Sequence, residues 1–262
     1  MTAAPARAST IHGVFERVRR EDRIALIPYL MAGYPTPDRA LELIAAASRE
    51  ADLIEIGVPF SDPVADGRSI QHAAQVSLHN GFRLRPFLDA LAASPPACPA
   101  LLMSYVNPML AYGRDRLLAD LAALRIAGLI VPDLPLEETD DWRAAAVAHG
   151  LFLVHLVAPT SPDERIQAAA DATDAFLYAV SLAGTTGARP ELDPGLPVFL
   201  RRIRRLTDKP LAVGFGLSSP DHVRALRGLA DGVIVGSRII EAVRAGESAL
   251  DLIRVLRDAT GN

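Results

Sequence analysis

The sequence has little cysteine, no long apolar run and no excess of positive charge. Cys98 is the one cysteine among 262 residues, so an intrachain disulfide is excluded. Its proline-rich setting, SPPACPA, and the lack of a neighbouring histidine favour a half-buried or surface thiol over a nucleophile. No stretch reaches the roughly 18 apolar residues of a membrane span, and the opening MTAAPARAST lacks the apolar core of a signal peptide. We therefore expect a soluble, cytoplasmic protein.

The balance of charge narrows the choice of partners. The formal net charge is −4 at pH 7. Nucleic acids and anionic membranes both attract basic surfaces, so neither is an expected partner. A local phosphate site is still possible, because backbone N–H groups at a helix start can bind an anion without any basic side chain.

Eight short apolar runs alternate along the chain with segments of helical periodicity. Such continuous runs indicate strands buried on both faces, as in a parallel sheet that helices cover. The sequence therefore predicts a (β/α)8 TIM barrel, with residues 1–262 forming a single domain. The runs begin at Ile24, Leu53, Ala100, Gly128, Leu151, Phe176, Leu211 and Gly232.

An additional helix precedes the first run. Ile11, Val14, Phe15 and Val18 follow the i, i+3, i+4, i+7 spacing of an amphipathic helix, and we expect residues 1–9 to be a flexible tail. An open doubly wound sheet is the competing fold. The first run has no G-x-G-x-x-G after it, and eight βα units match the barrel count.

Glu55 is unusual because it lies in the middle of an apolar run. Side chains alternate along a strand, so Ile54 and Ile56 would face the outer helices while Glu55 points into the barrel. A structural glutamate would need an inward arginine or lysine as a partner, and the other seven runs contain none. A buried, unpaired carboxyl keeps its proton, which suits a proton donor.

A second carboxylate follows in the long segment FSDPVADG, and another long segment, LAGTTGARPELDPG, follows the sixth run. Long connections after barrel strands are where such enzymes place their chemistry. Asp66 could be an ordinary Asp-Gly turn residue, and Asp62 before proline fits a turn. Two carboxylates at one barrel mouth can, however, hold different pKa values and share acid and base roles.

Glycines cluster after the last three runs, where phosphate sites are frequent in this fold. Glycine lets an anion approach backbone N–H groups, and a helix N-terminus attracts it. Together these turns favour a phosphorylated small-molecule substrate. The residues are Gly184, Gly187, Gly214, Gly216, Gly236 and Ser237.

Several motifs together resemble the tryptophan synthase alpha subunit family, in order and over nearly the whole chain. They are IPYLMAGYP, LIEIGVPFSDPVADG, MSYVNPML, VPDLPLEE, GTTGARPEL and VGFGLSSPDHV. The resemblance implies a lyase that cleaves indole-3-glycerol phosphate by a retro-aldol reaction to indole and glyceraldehyde 3-phosphate. It implies no metal and no organic cofactor.

The same resemblance implies roles for individual residues. Glu55 would protonate indole C3 and then take the proton of the adjacent hydroxyl, and Asp66 would bind the indole N–H. Tyr178 would neighbour the glutamate, with an ordinary core tyrosine as the alternative, and Thr186 would act from the loop after strand six. Matches to the indole pocket are Tyr29, Ile70, Tyr105, Ile130 and Phe215. Matches to the phosphate site are Gly187, Gly216, Gly236 and Ser237.

The resemblance also implies a partner, the beta subunit of tryptophan synthase, facing the segment Pro59–Asp62. Three alternatives stay open: a lyase that works alone and releases indole, a non-catalytic scaffold that activates a beta-type partner, and another phosphate-binding barrel enzyme. Glu55 and Asp66 argue against the last two.

Overall fold

The computed structural model describes residues 11–180, 192–214 and 216–261. Eight parallel strands form a closed barrel in sequential order, with the first strand pairing with the eighth. This confirms the predicted barrel and excludes the open sheet. The strands are β1 (Ala25–Met31), β2 (Ile54–Gly57), β3 (Ala100–Met103), β4 (Gly128–Ile130), β5 (Phe152–Val157), β6 (Leu177–Val180), β7 (Leu211–Gly214) and β8 (Gly232–Val235).

Helices surround this barrel, and each apolar run of the sequence is one of its strands. Among the described residues, no helix has both the length and the apolar character needed to cross a membrane. The helices are α1 (Ile11–Arg20), α2 (Pro37–Glu50), α3 (Arg68–His79), α4 (Leu84–Ala93), α5 (Val106–Tyr112), α6 (Arg114–Ala123), α7 (Thr139–Ala148), α8 (Asp163–Ala172), α9 (Leu196–Leu206), α10 (Pro220–Ala225), α11 (Ser237–Ala245) and α12 (Ala249–Asp258), with a 3-10 turn at Leu136–Glu138.

The core has two layers because side chains alternate along each strand. An outer cluster lies between the strands and the helices and contains Ile54 and Ile56, as predicted. An inner cluster fills the barrel. Its members include Ala25, Ile27, Tyr29, Leu53, Leu101, Ile130, Phe152, Val154, Phe176, Tyr178, Ala212 and Ile234.

Helix α1 closes the N-terminal end of the barrel. Its predicted apolar face, Ile11, Val14, Phe15 and Val18, is buried and belongs to the inner cluster. The Phe15 ring lies 5.5 Å from that of Phe176 inside the barrel. The amphipathic helix is therefore confirmed, whereas the predicted tail at residues 1–9 lies outside the described residues.

Three aspartates join neighbouring strands at this end of the barrel. Each aspartate donates its backbone N–H to the carbonyl of a leucine in β1, β5 or β7. The carboxylate of the same aspartate accepts the N–H of that leucine. Each carboxylate also binds at least one arginine. The pairs are Asp52 with Leu26, Asp174 with Leu153, and Asp231 with Leu211. We call these pairs the aspartate clamps.

Candidate active site

Glu55 lies inside the barrel, in register with Tyr29 of β1 and Leu101 of β3. Its side chain is 0 % exposed, and neither carboxyl oxygen has a hydrogen-bond partner in the described part of the chain. Burial, together with the charge of Asp66, raises the pKa of Glu55 to about 8. The alternative of a structural glutamate paired with a cation does not agree with this environment.

Asp66 lies in the loop between β2 and α3, which we call the Asp66 loop (residues 58–67). Burial raises the pKa of Asp66 to about 6, while a hydrogen bond with the Tyr105 hydroxyl acts in the opposite direction. The two carboxyl groups therefore titrate on opposite sides of neutral pH. Near pH 7, Asp66 is largely ionised and Glu55 is largely protonated.

Tyr105 and Gln71 hold the Asp66 loop in place. The Tyr105 hydroxyl accepts the backbone N–H of Ala65 at 3.0 Å, and its ring packs against Phe60 with centroids 5.3 Å apart. From the other side, Gln71 Nε2 donates to the Asp66 carbonyl at 2.9 Å. Tyr105, predicted as part of the indole pocket, thus also supports the second carboxylate, and Gln71 is a contact that sequence reasoning missed.

Two tyrosines adjoin Glu55 inside the barrel. Tyr29 and Tyr178 are buried, and burial followed by the charges of Glu55 and Asp66 raises the pKa of both hydroxyls. Glycines make room for their rings, because a Cβ at Gly57 would overlap Tyr29 and one at Gly214 would overlap Tyr178. The phenols therefore stay protonated and can donate hydrogen bonds near the glutamate.

Apolar side chains line the region around these groups. Ile130 is fully buried in the inner cluster, and Ile70 of α3 is half-buried against it. Met103 and Leu156 also pack, partly exposed, against this cluster. Sequence reasoning missed these two, although the strand alternation that turns Glu55 inward could have found them.

Three of the residues assigned to the phosphate site by the family motif lie in the described part of the chain. Gly236 directly precedes α11 and Ser237 begins it, and in the described structure no side chain caps this helix start and no acidic residue lies in its first turn. Gly236 approaches the ring of Tyr29, and Gly216 is exposed with open space beside its Cα. A helix start leaves backbone N–H groups without partners inside the helix, and this one has no acidic side chain in its first turn, so it is suitable for an anion.

Some predicted residues lie outside the described ranges. These residues are Gly184, Thr186, Gly187 and Phe215.

The predicted partner segment Pro59–Asp62 lies at the same mouth of the barrel. Ser61 and Asp62 are exposed and hydrogen-bonded to each other. Val64, two residues further on, is 85 % exposed, which is unusual for a large apolar side chain. Among the described residues there is no group of three or more histidine, cysteine, aspartate or glutamate side chains that could hold a metal ion.

Comparison with known proteins agrees with this geometry. The family model described as "Tryptophan synthase alpha chain" matches residues 15–258. The tryptophan synthase alpha chain of Roseiflexus sp. is 49 % identical, over 95 % of this chain and 99 % of that protein. The alpha chain of Mycobacterium avium is 40 % identical, over 98 % of this chain and 95 % of that protein.

Solved structures give the same result. A structure of Mycobacterium tuberculosis tryptophan synthase superposes with a TM-score of 0.90 at 38 % identity, covering 96 % of this chain and 98 % of that chain. A Pyrococcus furiosus tryptophan synthase alpha-subunit superposes with a TM-score of 0.81 at 37 % identity, covering 88 % of this chain and 97 % of that chain.

Proposed function

Since the chain belongs to the tryptophan synthase alpha chain family, we propose that Glu55 and Asp66 carry out the proton transfers of its reaction. The protein is a carbon–carbon lyase that cleaves indole-3-glycerol phosphate in tryptophan biosynthesis. The observation that carries the residue assignment is a fully buried Glu55, whose carboxyl oxygens have no partner among the described residues, together with Asp66 at the same barrel mouth. Burial raises the pKa of Glu55 to about 8 and that of Asp66 to about 6. A neutral acid and an ionised carboxylate then coexist at pH 7.

The cleavage starts at the indole ring. Glu55 donates its proton to ring carbon C3, which leaves positive charge on the ring nitrogen, and ionised Asp66 stabilises that charge through the N–H. The carboxylate of Glu55 then takes the proton from the hydroxyl on the adjoining glycerol carbon. The bond from C3 to that carbon breaks, its electrons return to the ring, and indole and glyceraldehyde 3-phosphate form.

These steps need proton transfers and charge stabilisation, so we expect neither a metal nor an organic cofactor. Tyr178 would donate a hydrogen bond beside Glu55 while that group changes its charge. We assign the indole pocket to Tyr29, Ile70, Tyr105 and Ile130, with Phe215 and Thr186 assigned from the family motif alone.

The phosphate site is assigned to the start of α11. Gly236 and Ser237 present backbone N–H groups there, Gly216 lies open after β7, and Gly187 is added by the motif. An anion bound at this helix start is favoured by the partial positive charge of the helix dipole. The substrate would then span from this site to Glu55.

A beta subunit of tryptophan synthase is the proposed partner, and we place its contact at Pro59–Asp62. The family is that of an alpha chain, and the exposed Val64 beside this segment supports a docking surface. A lyase that acts alone in the cytoplasm is the second candidate. Indole release by the purified chain, with and without a beta chain, separates the two: equal rates favour the enzyme that acts alone.

The residue assignment is tested by replacing each carboxyl with its amide. We expect Glu55→Gln to abolish indole release from indole-3-glycerol phosphate and Asp66→Asn to lower its rate strongly, both with retained binding of glycerol 3-phosphate. General acid–base groups contribute about 10²–10⁴-fold. A Glu55→Gln enzyme that kept more than about a tenth of the wild-type rate would refute the assignment.

A further inference from the structure

A hydrogen bond joins the helix behind Asp66 to the helix of the proposed phosphate site. Ser69, in the first turn of α3, is buried, and its hydroxyl donates to Oε1 of Glu241 in α11 at 2.8 Å. Glu241 lies four residues after Ser237, hence one turn further along the same side of α11. The contact therefore lies directly behind the helix start assigned to phosphate.

The first turn of α3 has three different neighbours. Ser69 bonds to α11, Ile70 packs against the inner cluster, and Gln71 donates to the carbonyl of Asp66. Consecutive helix residues point about 100° apart, so one rigid turn can reach all three. Displacement of α3 would move the Asp66 loop with it.

We propose that Ser69 and Glu241 are positioning residues that set the distance between the phosphate site at α11 and the carboxylate of Asp66. The inference rests on the proposed function, in which the phosphate site at α11 and Asp66 bind opposite ends of one substrate. A substrate held at both ends reacts well when the two sites keep their spacing, and a small misplacement lowers the rate while each end can still bind.

The test separates spacing from binding. We expect Ser69→Ala and Glu241→Ala each to lower kcat for indole release about tenfold, while the dissociation constant of glycerol 3-phosphate changes less than about twofold. The double variant should lose no more than either single variant, since both remove the same hydrogen bond. Ser69→Thr and Glu241→Gln keep a donor and an acceptor and should restore most of kcat.

Ser77→Ala is the matched control. Ser77 lies in the same helix and is fully buried, and its hydroxyl bonds to the Ala73 carbonyl within α3. We expect this variant to lower the melting temperature without changing kcat. If Ser69→Ala fails to fold, Glu241→Ala, which alters a half-exposed side chain, still tests the proposal.

The proposal is overturned if kcat stays within about twofold of wild type in Ser69→Ala and Glu241→Ala, if their losses add, or if Ser77→Ala loses as much. Failure here is distinct from failure of the proposed function. If only the positioning proposal is wrong, Glu55→Gln is inactive while Ser69→Ala has a normal kcat. If the proposed function is wrong, Glu55→Gln remains active.

Discussion

At the level of single residues, the burial that suits Glu55 to donate a proton also opposes folding at neutral pH. The pKa of Glu55 is about 8 in the folded chain against an ordinary value of 4.5. Its contribution to stability is therefore complete below pH 4.5 and is lost as pH rises through 8. Burial of Glu55 therefore lowers the free energy of unfolding at neutral pH, while it favours the protonated form that the proposed mechanism needs.

This leads to a prediction about stability. Glu55→Gln removes the titration, so its free energy of unfolding should exceed that of wild type by about 3 kcal/mol at pH 7 and match it near pH 4.5. Urea unfolding at both pH values measures the difference. Equal stability of the two proteins at pH 7 would show that Glu55 is not held in its neutral form.

Tyr105 gives a second prediction at this scale. Tyr105→Phe removes the hydroxyl whose hydrogen bond lowers the pKa of Asp66, so that pKa should rise. In the proposed mechanism the rate needs ionised Asp66 and protonated Glu55, so we expect a bell-shaped profile with limbs near the pKa values of about 6 and about 8. The acid limb should move to higher pH while the basic limb stays.

Tyr112→Phe is the control for that experiment. Tyr112 donates its hydroxyl to an aspartate as well, Asp120 of α6, at 2.5 Å. This pair lies away from the barrel interior, so its loss should leave both limbs in place. An acid limb that did not move in Tyr105→Phe would contradict the support of Asp66 by Tyr105.

At the level of elements, His155 makes the contact between β5 and its covering helices sensitive to pH. His155 shares the outer face of β5 with Leu153 and Val157, and its Nε2 atom has no partner among the described residues. Burial lowers its pKa to about 4, with Asp174 and Arg143 acting in opposite directions. Its contribution to stability is complete above pH 6.5 and is lost as pH falls towards 4.

We therefore expect wild type to lose more stability on acidification than His155→Leu. Between pH 7 and pH 5 the difference in the free energy of unfolding should change by about 2 kcal/mol, since a pH unit is worth about 1.4 kcal/mol. Parallel stability curves for the two proteins would show that His155 is not held neutral by burial.

The sequence predicted those elements whose signal is local. All eight strands, α1 and the inward direction of Glu55 follow from apolar periodicity and alternation. The aspartate clamps could not be predicted from the sequence. The carboxylate of Asp52 accepts the N–H of Leu26, which is 26 residues away, and this contact forms only in one register between β1 and β2. Between β3 and β4 the corresponding residue is Ala127, which donates its backbone N–H to Ala100 but has no carboxylate to accept an N–H in return. The clamps therefore do not occur at every such pair of strands.

The site shows the same limit. Residue types predicted an acid pair, whereas the support of Asp66 by Tyr105 and Gln71 depends on how a proline-rich loop folds against two other elements. Thr186, Gly187 and Phe215 stay predictions from the family motif.

At the level of the whole molecule, the two ends of the barrel have separate tasks. The N-terminal end carries the aspartate clamps and the buried face of α1, whereas the proposed chemistry lies at the C-terminal ends of the strands. The closed sheet between them is densely packed by the inner cluster. Stability and catalysis should therefore respond to different substitutions.

Phe15→Ala tests this separation. It truncates a buried ring that packs against Phe176 at the closed end, so the free energy of unfolding should fall by about 3–5 kcal/mol. The kcat/KM for indole release should stay near wild type well below the melting temperature, because no proposed site residue is altered. Glu55→Gln should show the reverse, higher stability at pH 7 with no activity. A large loss of kcat/KM in folded Phe15→Ala would show that packing at the closed end reaches the active site.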